Sequence, residues 1–190
     1  MKKLKKMNKN LKAIFIPGNG GGSPKDGWFP YLKKELESVG VQVIDEDFPD
    51  SDLAPESSWI PFLHKLNADE NTILVGYSSG AIAAMRFAEK NKIYGSALVA
   101  TYHTDLNNPW ETKAGYFNRP WDWEAIKKNQ NWILQFGSVD DPFVPVEEAR
   151  FVHEKLDSEY TEFKDQEHFG ATRPKFEFPE LANAILEKLK

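Results

Sequence analysis

Gly76-Tyr77-Ser78-Ser79-Gly80 follows the apolar run Thr72-Ile73-Leu74-Val75 and leads into Ala81-Ile82-Ala83-Ala84-Met85-Arg86-Phe87-Ala88. The three pieces read as a buried strand, a sharp turn and a helix. In a strand–turn–helix of the form G-x-S-x-G, the glycines leave room for a strained turn that lifts one serine clear of the sheet. The N–H of the next residue then points at the oxygen of an attacked carbonyl. Ser78 is therefore the candidate nucleophile, and Ser79 carries one candidate oxyanion donor. The pentapeptide alone is a weak signal, and its flanks give it mechanical meaning.

Outward from this turn, strand-like and helix-like segments alternate along the chain. The β-runs are Leu11–Ile16, Val41–Asp45, Thr72–Gly76, Ile93–Ala100, Trp132–Gly137 and Glu159–Phe163. Helices are expected near Trp28–Val39, Ser57–Leu66, Ser79–Asn91, Trp121–Lys128, Val146–Leu156 and Pro174–Leu189. This alternation predicts an α/β fold with a single, mostly parallel sheet of about six strands and helices on both faces. Residues 1–12 read as a flexible basic arm and residues 13–190 as one domain. An aromatic insertion at about 101–121 interrupts the rhythm after a strand's carboxyl end, the side on which open α/β sheets bind ligands. It reads as a short cap, with Trp110, Phe117 and Trp121 expected to line an apolar substrate pocket.

Composition narrows the function classes. The chain has 190 residues, of which 41% are hydrophobic and 13% aromatic, enough for a sizeable core. It has no cysteine, which excludes disulfides and thiolate chemistry and makes a reducing, cytoplasmic location the plain expectation. No stretch approaches the ~18 apolar residues of a membrane span. The net charge is −5, but leaving out the six lysines of the arm gives 18 basic against 29 acidic residues, or −11. Such a body repels nucleic acid, and neither a nucleic-acid nor a membrane partner is expected.

A serine hydroxyl becomes a nucleophile when a histidine takes its proton, and a carboxylate fixes that histidine's tautomer. After a G-x-S-x-G elbow the chain order is serine, acid, histidine. His168, in a loop after the strand Glu159–Phe163, fits the base, whereas His153 falls inside a charged helical run. The acid comes from Ser138-Val139-Asp140-Asp141-Pro142-Phe143-Val144, a turn following a strand. Asp141 is preferred to Asp140 because Asp-x-x-Val is the usual spacing in such loops. The second oxyanion donor is expected from Asn19 or Gly20 in Pro17-Gly18-Asn19-Gly20-Gly21-Gly22. No phosphate-loop, EF-hand or H-E-x-x-H pattern occurs, so no cofactor and no metal are expected.

Pro17–Gly22, Gly27-Trp28, Ser78–Arg86, Gly115-Tyr116-Phe117, Arg119-Pro120-Trp121, Gln135–Ser138, Asp140-Asp141-Pro142 and His168-Phe169 together resemble the retinoblastoma-binding protein nine family of small serine hydrolases. The resemblance runs from about Ala13 to the last helix. It implies an α/β-hydrolase fold, with nucleophile Ser78, acid Asp141 and base His168, and esterase- or aminopeptidase-like hydrolysis of small esters or amides. The family's proposed pocket-protein motif, L-x-C-x-E, reads Leu66-Asn67-Ala68-Asp69-Glu70 here. Ala68 replaces the cysteine, so binding of a retinoblastoma-type partner is not carried over. The rival expectation is a binding protein that keeps this scaffold with vestigial turnover.

Overall fold

The computed structural model describes residues 11–190. The basic arm expected at residues 1–12 lies outside the described residues except at its end. There Leu11 is buried and Lys12 opens the first strand, its Nζ donating to the Asn67 carbonyl at 2.6 Å. The elements in chain order are β1 (Lys12–Ile16), α1 (Phe29–Ser38), β2 (Gln42–Ile44), α2 (Glu56–Lys65), β3 (Thr72–Tyr77), α3 (Ser79–Ala88) and β4 (Gly95–Val99). They continue with α4 (Pro109–Ala114), α5 (Trp123–Lys128), β5 (Ile133–Ser138), α6 (Val146–Leu156), β6 (Glu159–Phe163) and α7 (Pro179–Lys188).

The strands form one six-stranded sheet in the order β2-β1-β3-β4-β5-β6, and every neighbouring pair is parallel. Apolar residues alternate between its faces with the strand period of two. Ile14, Ile16, Leu74 and Leu98 pack under α2, α3, α5 and α6. Ala13, Phe15, Ile73, Val75, Ala97 and Val99 pack under α1 and α7. β4 and β5 are buried along their whole length, whereas the edge strands β2 and β6 are largely exposed. This explains why the central strands read as continuous apolar runs. Strand order reverses between β1 and β3, which opens a crevice beyond their carboxyl ends.

Two elements differ from the sequence expectation. α7 begins at Pro179 rather than Pro174, because Pro179 occupies the first helical turn, where a missing N–H costs nothing. The insertion after β4 contains a helix, α4, that periodicity did not reveal. Asn108 caps it by accepting from the Trp110 N–H, Pro109 starts it, and Gly115 ends it in the left-handed conformation.

The insertion is anchored from below by Arg86, buried on α3. Its guanidinium donates to the carbonyls of Tyr116, Arg119 and Pro120 and to Glu89 Oε1, and lies 3.5 Å from the Trp121 ring centre. Its entry is clamped by Glu148 on α6, which accepts from the His103 and Thr104 N–H groups at 2.8 and 3.1 Å and from the Thr104 hydroxyl at 2.6 Å. Burial alone would raise the Glu148 carboxyl. The His103 side chain, the Thr104 hydroxyl and the His103 N–H outweigh it and hold it at about 2.

A carboxyl depressed on folding stabilises the native state above its unfolded value, and that contribution fades as pH falls toward the folded value. Glu148→Gln should therefore lower stability at pH 7 by about 2 kcal/mol, after discounting for partial solvation. In urea titrations the gap between the two proteins should narrow steadily below pH ~4.5.

Candidate active site

The loops that follow β1, β3, β5 and β6 converge at the carboxyl edge of the sheet. Between β3 and α3, Ser78 has φ 53° and ψ −121°, a conformation that L-residues rarely adopt. It is held on both sides: the Ser78 N–H donates to the Val99 carbonyl at 2.8 Å, and its own carbonyl accepts from Ala81 at 2.8 Å. The side chain is 8% exposed and points at the loop after β6.

That loop presents His168, with Nε2 at 3.1 Å from Ser78 Oγ and Nδ1 at 2.7 Å from Asp141 Oδ2. A carboxylate can only accept, so Nδ1 carries the proton and Nε2 is free to accept from the serine hydroxyl. Asp141 Oδ1 accepts from the Phe143 and Val144 N–H groups at 2.9 and 3.0 Å, which fixes the carboxylate plane. The structure thus brings together Ser78, His168 and Asp141 in one hydrogen-bonded line. His153 stays on α6, 3.2 Å from Ser158 Oγ.

Asp140 faces away from this line. Its Oδ1 accepts from Ser138 Oγ at 2.5 Å and from the Glu167 N–H at 2.9 Å, while Ser138 Oγ accepts from the Gln166 N–H at 3.0 Å. The neighbouring carboxylate therefore braces the loop that carries His168. Glu167 and Phe169, on either side of the histidine, both have positive φ. Further restraints come from Tyr77, whose hydroxyl donates to the His168 carbonyl at 2.5 Å, and from Trp28, whose Nε1 donates to the Phe169 carbonyl at 3.0 Å. Burial, and next the Asp141 carboxylate, push the Tyr77 hydroxyl far above its ordinary pKa, so it stays a donor.

The Ser79 N–H opens α3 and has no acceptor among the described residues, nor has the backbone N–H of Asn19. Gly20 does not share that freedom. Its N–H donates to the Asp52 carbonyl at 2.9 Å, so of the two loop donors expected only Asn19 is unengaged.

A cleft of about 360 Å³ opens over Ser78 and His168, walled by Leu106, Phe143 and Val144, with Glu111 also facing it. The three cap aromatics expected to line a pocket are elsewhere, and the correction has a physical cause. Trp121 is held against Arg86, stacks on Trp123 at 5.3 Å and donates to the His103 carbonyl at 2.9 Å. Phe117 lies between Tyr102 and Trp121 and packs on the core under α3. Trp110, on α4, is 56% exposed and is not among the cleft residues. The sequence reading missed Glu111, Leu106 and Phe143. The Asn108-Pro109 start and Gly115 stop of α4 would have placed Glu111 in that helix's first turn. Among the described residues, no group of three or more His, Cys, Asp or Glu is placed to hold a metal ion, and no helix is long and apolar enough to cross a membrane.

A parallel sheet with a serine elbow after its third strand, and an acid and a histidine after the last two, defines the α/β-hydrolase fold. Solved structures agree. The ydeN gene product of Bacillus subtilis superposes with a TM-score of 0.84 at 23% identity, over 94% of this chain and 98% of that one. A monoacylglycerol lipase of Paleococcus ferrophilus superposes with a TM-score of 0.65 at 17% identity, over 94% and 93%. At such identities the likeness concerns the fold. The chain belongs to the family described as Serine hydrolase, whose family model matches residues 13–186. It is 45% identical over 181 residues to serine hydrolase RBBP9 of Rattus norvegicus, covering 94% of this chain and 95% of that protein.

Two stability predictions follow from the geometry. Glycine adopts the Ser78 backbone without strain, so Ser78→Gly should be more stable than Ser78→Ala by about 1 kcal/mol in thermal unfolding, the reverse of the usual ranking. Trp121→Ala should cost about 3 kcal/mol of stability, read in the same thermal unfolding.

Proposed function

We propose that the protein cleaves small esters or amides by acyl transfer to Ser78, with His168 as general base and Asp141 as its supporting acid. The observation that carries this reading is the line Asp141–His168–Ser78, with bonds of 2.7 and 3.1 Å on a strained elbow. Family membership as a serine hydrolase supports it.

In this reading His168 Nε2 takes the Ser78 proton as Oγ attacks the substrate carbonyl carbon. The carbonyl's π pair moves onto oxygen, where the free N–H groups of Ser79 and Asn19 receive it. Asp141 supports the imidazolium, which passes its proton to the departing alkoxide or amine as the bond to the leaving group breaks. Water, deprotonated by His168, then attacks the acyl-serine, and the acid leaves as Oγ recovers the proton. The apolar walls Leu106, Phe143 and Val144 favour a short apolar group. The lack of cysteine is compatible with work in a reducing compartment such as the cytoplasm.

The test is fluorophosphonate labelling with hydrolysis of a panel of small p-nitrophenyl esters and aminoacyl amides. Ser78→Ala should abolish labelling and lower turnover on the order of 10³-fold or more. Unchanged turnover in that variant, contaminants excluded, would overturn the reading. Asp141→Asn should reduce kcat by at least ~10³-fold, because the amide cannot hold the histidine in its working tautomer. Asp140→Asn should cost far less. His168→Ala should remove most activity, because no other group among the described residues is placed to take the Ser78 proton.

A further inference from the structure

Glu111 is the first-turn residue of α4, and it lines the cleft from the side of the cap. It is 6% exposed, yet it belongs neither to the serine line nor to the Arg86 anchor. Its two oxygens have separate tasks. Oε1 accepts from the Asn19 side-chain Nδ2 at 2.8 Å, and Oε2 accepts from the Tyr102 hydroxyl at 2.8 Å. Because Tyr102 donates its proton to the carboxylate, Ser79 Oγ must donate to the Tyr102 oxygen, 3.2 Å away. One carboxylate is thereby joined to Asn19 directly and to Ser79 through one phenol. Both residues also have a backbone N–H with no acceptor among the described residues.

We infer that Glu111 is a positioning residue that holds both oxyanion donors, Asn19 and Ser79, in register with Ser78, so that the cap helix is part of the catalytic geometry rather than only a lid. The inference rests on the acyl-transfer reading given above. The loop after β1 belongs to no strand or helix, and its backbone is tied just past Asn19, where the Gly20 and Gly21 N–H groups donate to the Asp52 and Ser51 carbonyls at 2.9 and 3.1 Å. The side-chain bond to Glu111 supplies a restraint on the residue itself. On the other side, the Ser79 hydroxyl is held at the first residue of α3, beside the N–H that opens the helix.

Burial raises the Glu111 carboxyl above its ordinary range, and the hydrogen bonds from Tyr102 and Asn19 act in the opposite sense. The donors that support the ionised form are therefore the same groups it positions. Burial first, and then Glu111, raise the Tyr102 hydroxyl well above its normal range, which keeps it neutral and donating.

The experiment compares wild type, Glu111→Ala, Glu111→Gln and Tyr102→Phe. Turnover of p-nitrophenyl acetate is expressed per site titrated with a fluorophosphonate, and inhibition by a trifluoromethyl ketone, which forms a tetrahedral adduct, is measured alongside. Loosening a donor costs less than deleting one, so Glu111→Ala should lower kcat per titrated site by about 10- to 100-fold with KM little changed. The inhibition constant of the ketone should rise in parallel. Glutamine can accept from Asn19 and donate to Tyr102, turning the phenol toward Ser79, so Glu111→Gln should stay within about 5-fold of wild type. Tyr102→Phe should fall between the two.

An unchanged kcat per titrated site in Glu111→Ala overturns the inference. So does a raised KM with intact kcat, which would make Glu111 a substrate contact, and so does equal damage in the alanine and glutamine variants, which would make the charge the requirement. If Glu111→Ala does not fold, Tyr102→Phe decides by the same criteria, and a loss in Glu111→Gln as large as that in Tyr102→Phe overturns the inference. A Ser78→Ala control separates the two levels. With Ser78-dependent turnover in the unchanged chain, a silent Glu111→Ala refutes the network alone; without such turnover the acyl-transfer reading falls, and the network falls with it.

Discussion

The β3–α3 turn closes only because residues 76 and 80 carry no Cβ. A methyl group on Gly80 would collide with the Ile16 and Pro17 carbonyls, and one on Gly76 with the Gly80 carbonyl. The first turn of α3 therefore rests against the end of β1, the neighbour of β3 across the switch in strand order. From that contact the rest of the site follows. The loop after β1 is drawn to the elbow, with Gly18 in close contact with Ser78, while β4 holds the Ser78 N–H through Val99. A serine pinned from both neighbouring strands can keep a backbone conformation that would otherwise cost about 1–3 kcal/mol. The same turn leaves the Ser79 N–H at a helix start, where no intrahelical acceptor exists. The direction of the Ser78 side chain and the unengaged N–H beside it are thus two consequences of one backbone approach.

The insertion after β4 depends on a different constraint, the buried guanidinium of Arg86. It sits on α3, the helix that begins at the elbow, and its donors satisfy carbonyls of residues 116, 119 and 120, which belong to no helix or strand. Left without Arg86, the buried Tyr116 carbonyl would be unpaired at a cost of about 1–3 kcal/mol, and the Arg119 and Pro120 carbonyls would lose their donor. Glu89 balances the charge at 2.6 Å, and burial lowers the Arg86 pKa without making it neutral. Cap and nucleophile are consequently built on the same helix, and the Glu148 clamp on α6 fixes the other end of the insertion. α4 is held between these two attachments, which gives Glu111 a defined position over the cleft.

What could be read from the residues and what could not divides along the range of the interactions involved. The sheet was legible because β1, β3, β4 and β5 are buried runs whose composition is dictated locally, and Gly76–Gly80 states its own geometry. Ser78 and His168 were placed by chain order. Asp141 was separated from Asp140 by the spacing to Val144, and the structure gives the cause: Asp141 Oδ1 takes the Val144 N–H, which points its other oxygen at His168. The cap was misjudged because the fate of Phe117 and Trp121 depends on Arg86, some thirty residues earlier, and an aromatic run in a loop does not reveal which rings a buried cation will attract. The choice between Asn19 and Gly20 stayed open in the sequence for a similar reason, and it is Gly20 whose N–H is engaged. Nothing within Gly18–Gly22 signals that the Asp52 carbonyl lies beside it.

Asp140, Asp141 and Glu111 stand at this end of the sheet, and their hydrogen-bond partners would allow them to coexist with the negative charge that the proposed acyl transfer builds. Asp141 has one oxygen occupied by two backbone N–H groups and directs the other at His168, where its charge would support the imidazolium of the proposed acyl transfer. Asp140, one residue away, is turned outward onto Ser138 and Glu167, so it adds loop rigidity with little effect on the reacting atoms. Glu111 lines the cleft that holds Ser78 and would oppose an oxyanion there if its charge were bare. Each of its oxygens instead receives a hydrogen bond from a neutral donor, Asn19 or Tyr102. These bonds draw charge away from the cleft and tighten the residues that offer N–H groups to it. A buried acid beside a nucleophile is tolerable on that condition, and here the same two bonds meet the condition and organise the site.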